Sequence, residues 1–385
     1  MINLNKILLF LLTFEIIFGG GGRMFEPLGI FPVRYLLFAL ALALFVFNVI
    51  TKLSKTTPRN LFLVSSVLFL PLYGVIVGVM VGNSLTDILF DLQPYIYTLV
   101  ILFLCFNDMS IRKYALYIFL KTTKYYAIIA SCVYIAYIIL LRVGVINFGY
   151  VYSILSTSSE FFFRPGGAFF AKSFFFIGVG AIIFFSEKKN YLFLLCMMAL
   201  FLTETRGVFL FTGVAALIVS CRINSFIKNF SLVSIAIIAC VALLIIVGGR
   251  AGDSDSVRLN DFYYIVKGMT STSLIFGEGF GSAILGRGRI EVVPLELLYK
   301  TGAIGIFLSM LPLLVVIYKG IVKSSRIEDL QVSCILIFAA GVSLTNPFLY
   351  TPMGIYIIGI AILSLEVYRP VANFNKNNLT ISDNR

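Results

Sequence analysis

Apolar runs, broken by short polar or glycine- and proline-containing connections, cover most of the chain. A helix needs about 20 apolar residues to cross the hydrocarbon core of a bilayer, and most of these runs approach that length. In lipid the backbone must satisfy its own polar groups, so each run is expected to be helical. The pattern predicts about twelve transmembrane helices, at residues 3–19, 34–51, 61–82, 92–106, 125–141, 167–185, 190–204, 206–221, 230–248, 302–318, 330–346 and 352–367.

Residues 190–221 allow two interpretations, a hairpin of two short helices or one long tilted helix. Basic residues flank the segment at both ends, which a hairpin explains because its two ends lie on one side of the membrane. We therefore favour a hairpin with its tip at 203–206. A second hairpin is predicted near the end of the chain, where Pro347 and Pro352 interrupt the helical pattern because proline lacks a backbone donor.

Composition indicates a membrane protein. The chain of 385 residues is 60% hydrophobic and 12% charged, with a mean hydropathy of +1.01, whereas soluble proteins carry about 25% charged residues. The sequence therefore predicts an all-α polytopic integral membrane protein in which residues 1–385 form one transmembrane domain. In such a protein the net charge of +12 reports the orientation of the loops, and no nucleic-acid partner is expected.

The basic residues also assign the two sides of the membrane. Lysine and arginine accumulate in alternate connections, which the positive-inside rule places in the cytoplasm. An even number of spans then puts both termini in the cytoplasm, including the tail at 369–385. The one long polar segment, residues 249–301, becomes a large periplasmic loop. The first apolar run has no small-residue cleavage site and is interpreted as an uncleaved span.

The residue types present limit the chemistry. The chain has no histidine, and its six cysteines lie in or beside apolar runs at spacings that match neither metal sites nor a disulfide framework. No metal and no cofactor are therefore expected. Any reaction is expected to depend on carboxylates, arginines, lysines and hydroxyl groups.

A group of cations falls on the predicted outer face instead of the cytoplasmic one. Its members are Arg164, Arg206, Arg250, Arg258, Lys267, Arg287, Arg289 and Lys300. Most are arginines, whose planar fork of donors matches phosphate oxygens. The group suggests an anionic ligand at the outer leaflet, such as a lipid-linked diphosphate. The alternative is that each arginine simply reaches a lipid headgroup.

Two of these positions precede or enter a predicted span. Arg164-Pro165-Gly166-Gly167 is expected to start a helix. The free backbone N–H groups of the first turn, beside the arginine, would form an anion-binding site. The alternative is an ordinary helix N-terminus that binds no anion. Lys172 is expected within the apolar span itself. A lysine there is costly unless it faces a cavity or a partner.

The polar loop has local structure of its own. A surface helix is predicted over 261–269, followed by a turn at Gly277-Glu278-Gly279-Phe280-Gly281. No strand of a dinucleotide fold precedes this turn, so it indicates a tight turn and not a nucleotide site. Glu296 and Lys300 are four residues apart and are predicted to pair on one helical face.

The ordered motifs resemble a known group of proteins. They are Arg164-Pro165-Gly166-Gly167, then Leu202-Thr203-Glu204-Thr205-Arg206-Gly207, then the glycine-rich turn at 277–281, and finally Leu295-Glu296 with Gly302 and Gly305. In this order they resemble the paired motifs of the O-antigen ligase and polymerase superfamily. The resemblance implies the fold of a C-type membrane glycosyltransferase. It also implies a location in the bacterial inner membrane and transfer, at the periplasmic face, of sugars carried on undecaprenyl diphosphate.

The resemblance is to polymerases more than to ligases. Ligases of this superfamily carry a histidine at the position that is Glu291 here. The departure favours a Wzy-type O-antigen polymerase, with an O-antigen ligase and a lipid-linked oligosaccharide flippase as open alternatives. The implied partners are the undecaprenyl-diphosphate-linked oligosaccharide, the inner-membrane lipid, a chain-length regulator and a flippase.

The polymerase interpretation assigns two kinds of residue. A base must take a proton from the attacking sugar hydroxyl, and without histidine the candidates are Glu291 first, then Glu296 and Glu278. Cations must meet the charge on the leaving diphosphate. The candidates for that role are Arg164, Lys172, Arg206, Arg258, Arg287 and Arg289.

Overall fold

The structure is a computed structural model that describes residues 2–22, 24–25, 32–51, 57–222, 252–324 and 326–367. It is mostly helical. The α-helices are α1 (Ile2–Gly19), α2 (Val33–Ile50), α3 (Pro58–Val81), α4 (Leu85–Leu92), α5 (Val100–Cys105), α6 (Met109–Arg142), α7 (Phe148–Leu155), α8 (Phe175–Ser186), α9 (Asn190–Leu202), α10 (Arg206–Arg222), α11 (Gly252–Gly268), α12 (Ser271–Phe276), α13 (Val293–Ile317), α14 (Ile327–Val342) and α15 (Pro352–Val367). Short 3₁₀ segments cover Gln93–Leu99, Pro165–Gly167 and Lys172–Phe174, a π-helical turn covers Tyr318–Lys323, and the strands are β1 (Phe161–Phe163) and β2 (Phe169–Ala171).

Five helical segments are long and apolar enough to cross a membrane. They are Val33–Ile50, Pro58–Val81, Leu85–Cys105, Met109–Arg142 and Val293–Lys323. Shorter apolar helices at Lys172–Ser186, Asn190–Leu202 and Pro352–Leu365 pack among them. The architecture is that of a polytopic membrane protein. The predicted span at 230–248, Arg250 and the tail at 369–385 lie outside the described residues.

The long helix α6 joins two segments that the sequence pattern separates. Residues 107–124 were expected to be a cytoplasmic connection before a span at 125–141, but the helix is continuous from Met109 to Arg142. Asp108 caps its first turn by accepting a hydrogen bond from the Ser110 N–H. No glycine or proline interrupts the following residues, so a basic segment continues as helix beyond the apolar part.

A short hairpin replaces the predicted helix start near Arg164. Strands β1 and β2 pair in antiparallel register, with Phe162 opposite Phe170. Gly166 and Gly167 form the turn with φ of 83° and 88°, a left-handed conformation that favours glycine and excludes helix propagation. Arg164 therefore precedes a hairpin turn, and the predicted helix N-terminus at this position is wrong. Lys172 is the first residue of the 3₁₀ turn that continues into α8, so it lies at the start of the apolar helix and not inside it.

The two predicted helical hairpins are confirmed. α9 and α10 are separated only by residues 203–205, and α14 and α15 by residues 343–351. Both connections lie at the end of the bundle that also carries the β1–β2 hairpin, α11 and α12, which we call the loop end. At the opposite end Asn60 donates to the carbonyl oxygen of Ile362, and Arg222 donates to that of Ser324.

The glycine-rich segment 277–281 fits between α3 and α13. The Gly279 N–H donates to the Lys300 carbonyl oxygen at 2.9 Å, and the Phe280 N–H donates to that of Gly74 at 2.9 Å. Gly279 has φ 77°, and a Cβ there would lie 2.2 Å from the backbone nitrogen of Gly78. Gly302 interrupts α13 at the same level. The segment is therefore a tight structural turn, as the sequence predicts.

We expect Gly279→Ala to remove most of the folded protein from the membrane, because both its φ and the approach to Gly78 exclude a side chain. The matched control is Gly268→Ala, where an added Cβ meets no atom within 4 Å. Membrane levels of both variants, measured by immunoblot after equal expression, test this. Equal levels would contradict the proposed packing.

Candidate functional site

A buried ion pair joins α4 to α13 at the loop end. The Lys300 Nζ lies 2.7 Å from Asp91 Oδ1, and the two side chains are 3% and 4% exposed. The same ammonium donates to Glu296 Oε1 at 3.2 Å and to the Gly288 carbonyl oxygen. A lysine ammonium has three donors, so these three acceptors use all of them. The predicted pair of Glu296 and Lys300 is confirmed.

Asp91 is held from a second direction. Its Oδ2 accepts a hydrogen bond from the Gly281 N–H at 2.7 Å, and its Oδ1 accepts from Lys300. Both carboxylate oxygens are therefore engaged, so Asp91 is a fixed counter-charge and not a free base. Asp91 is not among the site residues predicted from the sequence. The available signal was a carboxylate at the edge of an apolar run, which is costly without a partner.

A small cavity of about 90 Å³ opens beside this ion pair. Arg289 lies at the cavity, where its Nη2 donates to the Phe90 carbonyl oxygen at 2.6 Å and its guanidinium covers the Phe90 ring at 4.8 Å. The cavity thus combines two carboxylates with two cations. The residues that line it are Asp91, Pro94, Tyr95, Phe280, Arg289, Val293, Glu296, Leu297, Lys300, Pro347, Tyr350 and Thr351.

Two tyrosines form an aromatic wall of the cavity. The rings of Tyr95 and Tyr350 lie 5.2 Å apart, and Tyr95 also lies 5.2 Å from Phe280. Burial raises the pKa of Tyr350 above its usual range. Its phenol is therefore protonated at neutral pH and does not serve as a base. Of the two carboxylates in the cavity, Asp91 has both oxygens in hydrogen bonds, whereas Glu296 has, among the described residues, one hydrogen bond, to Lys300.

Glu291 is placed differently from Glu296. Its Oε2 accepts hydrogen bonds from Arg258 Nε at 2.9 Å and Nη2 at 2.7 Å, and its side chain is 49% exposed. Arg258 also donates to the Thr345 carbonyl oxygen at 3.1 Å. The Glu291 carboxylate thus has a guanidinium partner at the surface and is not part of the cavity lining.

The other candidates of the polar loop have separate positions. Arg287 pairs with the buried Asp261 and so attaches α11 to the loop. Glu278 is partly buried, and its backbone nitrogen donates to the Tyr299 carbonyl oxygen. Neither Arg287 nor Glu278 lines the cavity. Among the loop candidates, the structure therefore brings together Glu296, Arg289 and Lys300.

Lys172 belongs to a second polar cluster at the loop end. Its Nζ lies 3.8 Å from Glu160 Oε1, and Glu160 Oε2 accepts a hydrogen bond from the Gly21 N–H at 2.6 Å. Beside it the buried Arg34 donates to Glu15 Oε2 at 2.7 Å. This cluster ties the base of the β1–β2 hairpin to the turn after α1. Arg164 is exposed beyond it, at the end of β1.

The loop 343–351 connects the two clusters. Phe348 packs on Phe175 with 5.1 Å between ring centroids, next to the β1–β2 hairpin. Thr345 accepts from Arg258 and lies against Gly207, which follows Arg206 at the start of α10. Tyr350 reaches the cavity. The predicted motifs therefore converge on one end of the bundle, although they are far apart in the chain.

Comparison with known proteins identifies the family. An O-antigen polymerase from Shigella flexneri is 45% identical over 384 residues, which is 100% of this chain and 98% of that protein. The chain belongs to the O-antigen polymerase family. This confirms the family that the motifs resemble. No family model and no solved structure matches the chain.

The Asp91 and Lys300 pair gives a stability prediction. Lys300→Met leaves the buried Asp91 carboxylate without its cation, which we expect to lower the free energy of unfolding by about 3–5 kcal/mol. Asp91→Asn should cost less, because the ammonium keeps its ion pair with Glu296. The double variant Asp91→Asn with Lys300→Met removes both charges of this pair and should recover part of that loss, because Glu296 still lacks its cation. Thermal unfolding of the detergent-purified protein measures this, with the exposed Lys267→Met as the control. Single variants as stable as the control would refute the pairing.

Proposed function

We propose that the chain is a membrane glycosyltransferase that polymerises O-antigen repeat units carried on undecaprenyl diphosphate at the periplasmic face of the inner membrane. Membership of the O-antigen polymerase family supports the polymerisation. The observation that supports the site is the cavity at the loop end. It sets Glu296 beside Lys300, Asp91 and Arg289.

The reaction joins two lipid-linked sugars. A hydroxyl of the incoming unit attacks the anomeric carbon of the growing chain, a glycosidic bond forms, and the bond from that carbon to the diphosphate breaks. The hydroxyl proton passes to a base, and the diphosphate leaves with its lipid carrier. The donor diphosphate ester supplies the free energy, so the residues need only position the reactants and stabilise charge.

Glu296 is the base that this geometry favours. It lines the cavity, and within the described part of the chain it forms an ion pair with Lys300 alone, through Oε1 at 3.2 Å. Its Oε2 is therefore the oxygen proposed to take the proton. Glu291 lies on Arg258 at the surface, and Glu278 lies outside the cavity lining. We therefore place Glu296 ahead of Glu291 and Glu278.

Arg289 is the proposed first contact of the diphosphate. A cavity of about 90 Å³ holds a few water molecules and not a sugar, so the substrates must meet at its mouth, where Arg289 lies. A guanidinium there can present two donors to phosphate oxygens. Arg164, Lys172, Arg206, Arg258 and Arg287 occupy the same end of the bundle and are proposed to extend this cationic surface along the substrate.

The proposed orientation places the loop end in the periplasm and both termini in the cytoplasm. The opposite end carries Lys124 and Lys189 beside the turn between α8 and α9, as the positive-inside rule requires. Residues 249–301 then form the periplasmic loop, and its last residues already belong to α13. A flippase that supplies outward-facing units and a chain-length regulator are the proposed partners.

Complementation of a gene deletion in the native host tests the function and the base together. We expect the deletion to leave lipopolysaccharide with core plus one repeat unit, because polymerisation alone is lost, and the unaltered gene to restore the ladder. Glu296→Gln should restore at most about 1% of the polymer, since removing a general base costs about 10²–10⁴ in rate. Lipopolysaccharide gels at matched membrane protein levels are the measurement.

Two controls make this test decisive. Glu278→Gln preserves size and removes a carboxylate outside the cavity, so its ladder should match that of the unaltered protein. A full ladder from Glu296→Gln would remove Glu296 as the base without affecting the proposed function. Bare core with accumulated lipid-linked polymer after deletion would instead indicate a ligase, and the polymerase proposal would fail.

Orientation can be measured with a phosphatase reporter that is active only in the periplasm. We expect fusions after Gly286, in the polar loop, to be active, because the loop end faces the periplasm. Fusions after Lys188, at the opposite end, should be silent. The reverse pattern would overturn the proposed topology, and equal expression of both fusions is the control.

A further inference from the structure

A second cavity lies at the end of the bundle opposite to the proposed active site. Its volume is about 520 Å³, within the range of small-molecule sites. Its walls come from α6, the end of α8, the start of α9 and the start of α14. The lining residues are Leu116, Tyr117, Leu120, Lys121, Lys124, Tyr125, Ile128, Phe184, Glu187, Lys189, Leu192, Ile327, Glu328 and Gln331. The proposed reaction uses none of them.

The cavity is amphipathic. Leu120, Ile128 and Leu192 are among its apolar residues. Its charged residues carry a net positive charge, since three lysines outnumber two carboxylates: Lys121, Lys124, Lys189, Glu187 and Glu328. Apolar and cationic surfaces are combined in one crevice between helices. A soluble anion would match only the cationic part, and an acyl chain would match only the apolar part. A ligand with both is the best complement.

Aromatic residues indicate the depth of the cavity in the membrane. Tyr117 and Tyr125 line it and are more than half exposed, and Tyr191 beside it is 71% exposed. Tyrosine is enriched where the hydrocarbon core meets the headgroups, because its ring is apolar and its hydroxyl is polar. The lysines of the cavity therefore lie at the level of lipid phosphates.

Of the three lysines that line the cavity, Lys121 is the one available to bind an anion. Glu187 accepts hydrogen bonds from Lys124 at 2.9 Å and from Lys189 at 2.7 Å. Partial burial raises the pKa of Glu187, but the hydrogen bonds and charges of Lys189 and Lys124 lower it by more, so the net shift is downward. Lys121 forms no ion pair within the described part of the chain and lies over the Tyr117 ring at 5.3 Å.

We propose that this cavity binds an anionic phospholipid. The phosphate would contact Lys121, and an acyl chain would lie along Leu120, Ile128 and Leu192. The lipid would fill the crevice between α6, α9 and α14. Basic pockets between helices at a membrane surface recognise anionic headgroups by the same combination of charge and apolar area. The inference does not depend on the proposed glycosyl transfer.

Binding of defined lipids to the full-length protein in detergent tests the proposal. Native mass spectrometry measures the affinity for phosphatidylglycerol and for phosphatidylethanolamine with the same acyl chains. We expect phosphatidylglycerol to bind more tightly, and Lys121→Gln to weaken it about fivefold, the effect of one lysine near a charged lipid surface. Lys113→Gln, an exposed lysine of the same helix outside the cavity, should change nothing.

The other outcomes overturn the proposal. Equal affinity for the two lipids, or equal effects of Lys121→Gln and Lys113→Gln, would show that no anionic lipid is recognised here. Inorganic phosphate that raises the unfolding temperature as much as phosphatidylglycerol would identify a soluble anion as the ligand. Leu192→Phe narrows the apolar wall without a change of charge, so unchanged lipid affinity in this variant would also count against the proposal.

Discussion

The ammonium group of Lys300 is the constraint on which the loop end depends. A buried cation is stable only when its donors meet acceptors, and this one needs Asp91 from α4, the Gly288 carbonyl oxygen from the polar loop and Glu296 from α13. Three separate parts of the chain must therefore lie within hydrogen-bonding distance of one nitrogen. The same contacts bring Glu296 and Arg289 to one cavity, so the requirement for stability also arranges the proposed chemistry.

The glycine-rich segment and the loop 343–351 connect the contacts of Lys300 to the other elements of the loop end. The segment 277–281 fits between α3 and α13 because Gly279 and Gly78 have no side chains and their backbones can approach closely. The Gly281 N–H of the same segment donates a hydrogen bond to the Asp91 carboxylate. The loop 343–351 then contacts α10, α11 and the β1–β2 hairpin through Thr345 and Phe348. The opposite end has a different character, with lysines, tyrosines and an open amphipathic crevice. The two proposed ligands therefore differ, with a lipid-linked sugar at the loop end and an anionic phospholipid at the opposite end.

Part of the fold follows from local pattern, and part does not. The hairpin at α9 and α10 was predicted because flanking charges require both ends on one side, and the Glu296 and Lys300 pair was predicted because four residues make one helical turn. The β1–β2 hairpin was not predicted, since a run of phenylalanines before Pro165 fits a membrane helix as well as a strand. The basic part of α6 was not predicted as helix, because charge indicates the side of the membrane and not the end of a helix.

The sequence by itself determined the membrane class, the helical content and, through ordered motifs, the O-antigen polymerase family, because composition, periodicity and motif order are properties of the chain. Only the tertiary structure placed Glu296 in the cavity and Glu291 and Glu278 outside its lining, and only the tertiary structure revealed the contacts of Asp91. Asp91 and Lys300 are 209 positions apart, and no local period relates residues at that separation. Asp91 is buried and pairs with the buried Lys300, whereas Glu291 is half exposed and pairs with Arg258. This difference in burial arises only when the helices pack together.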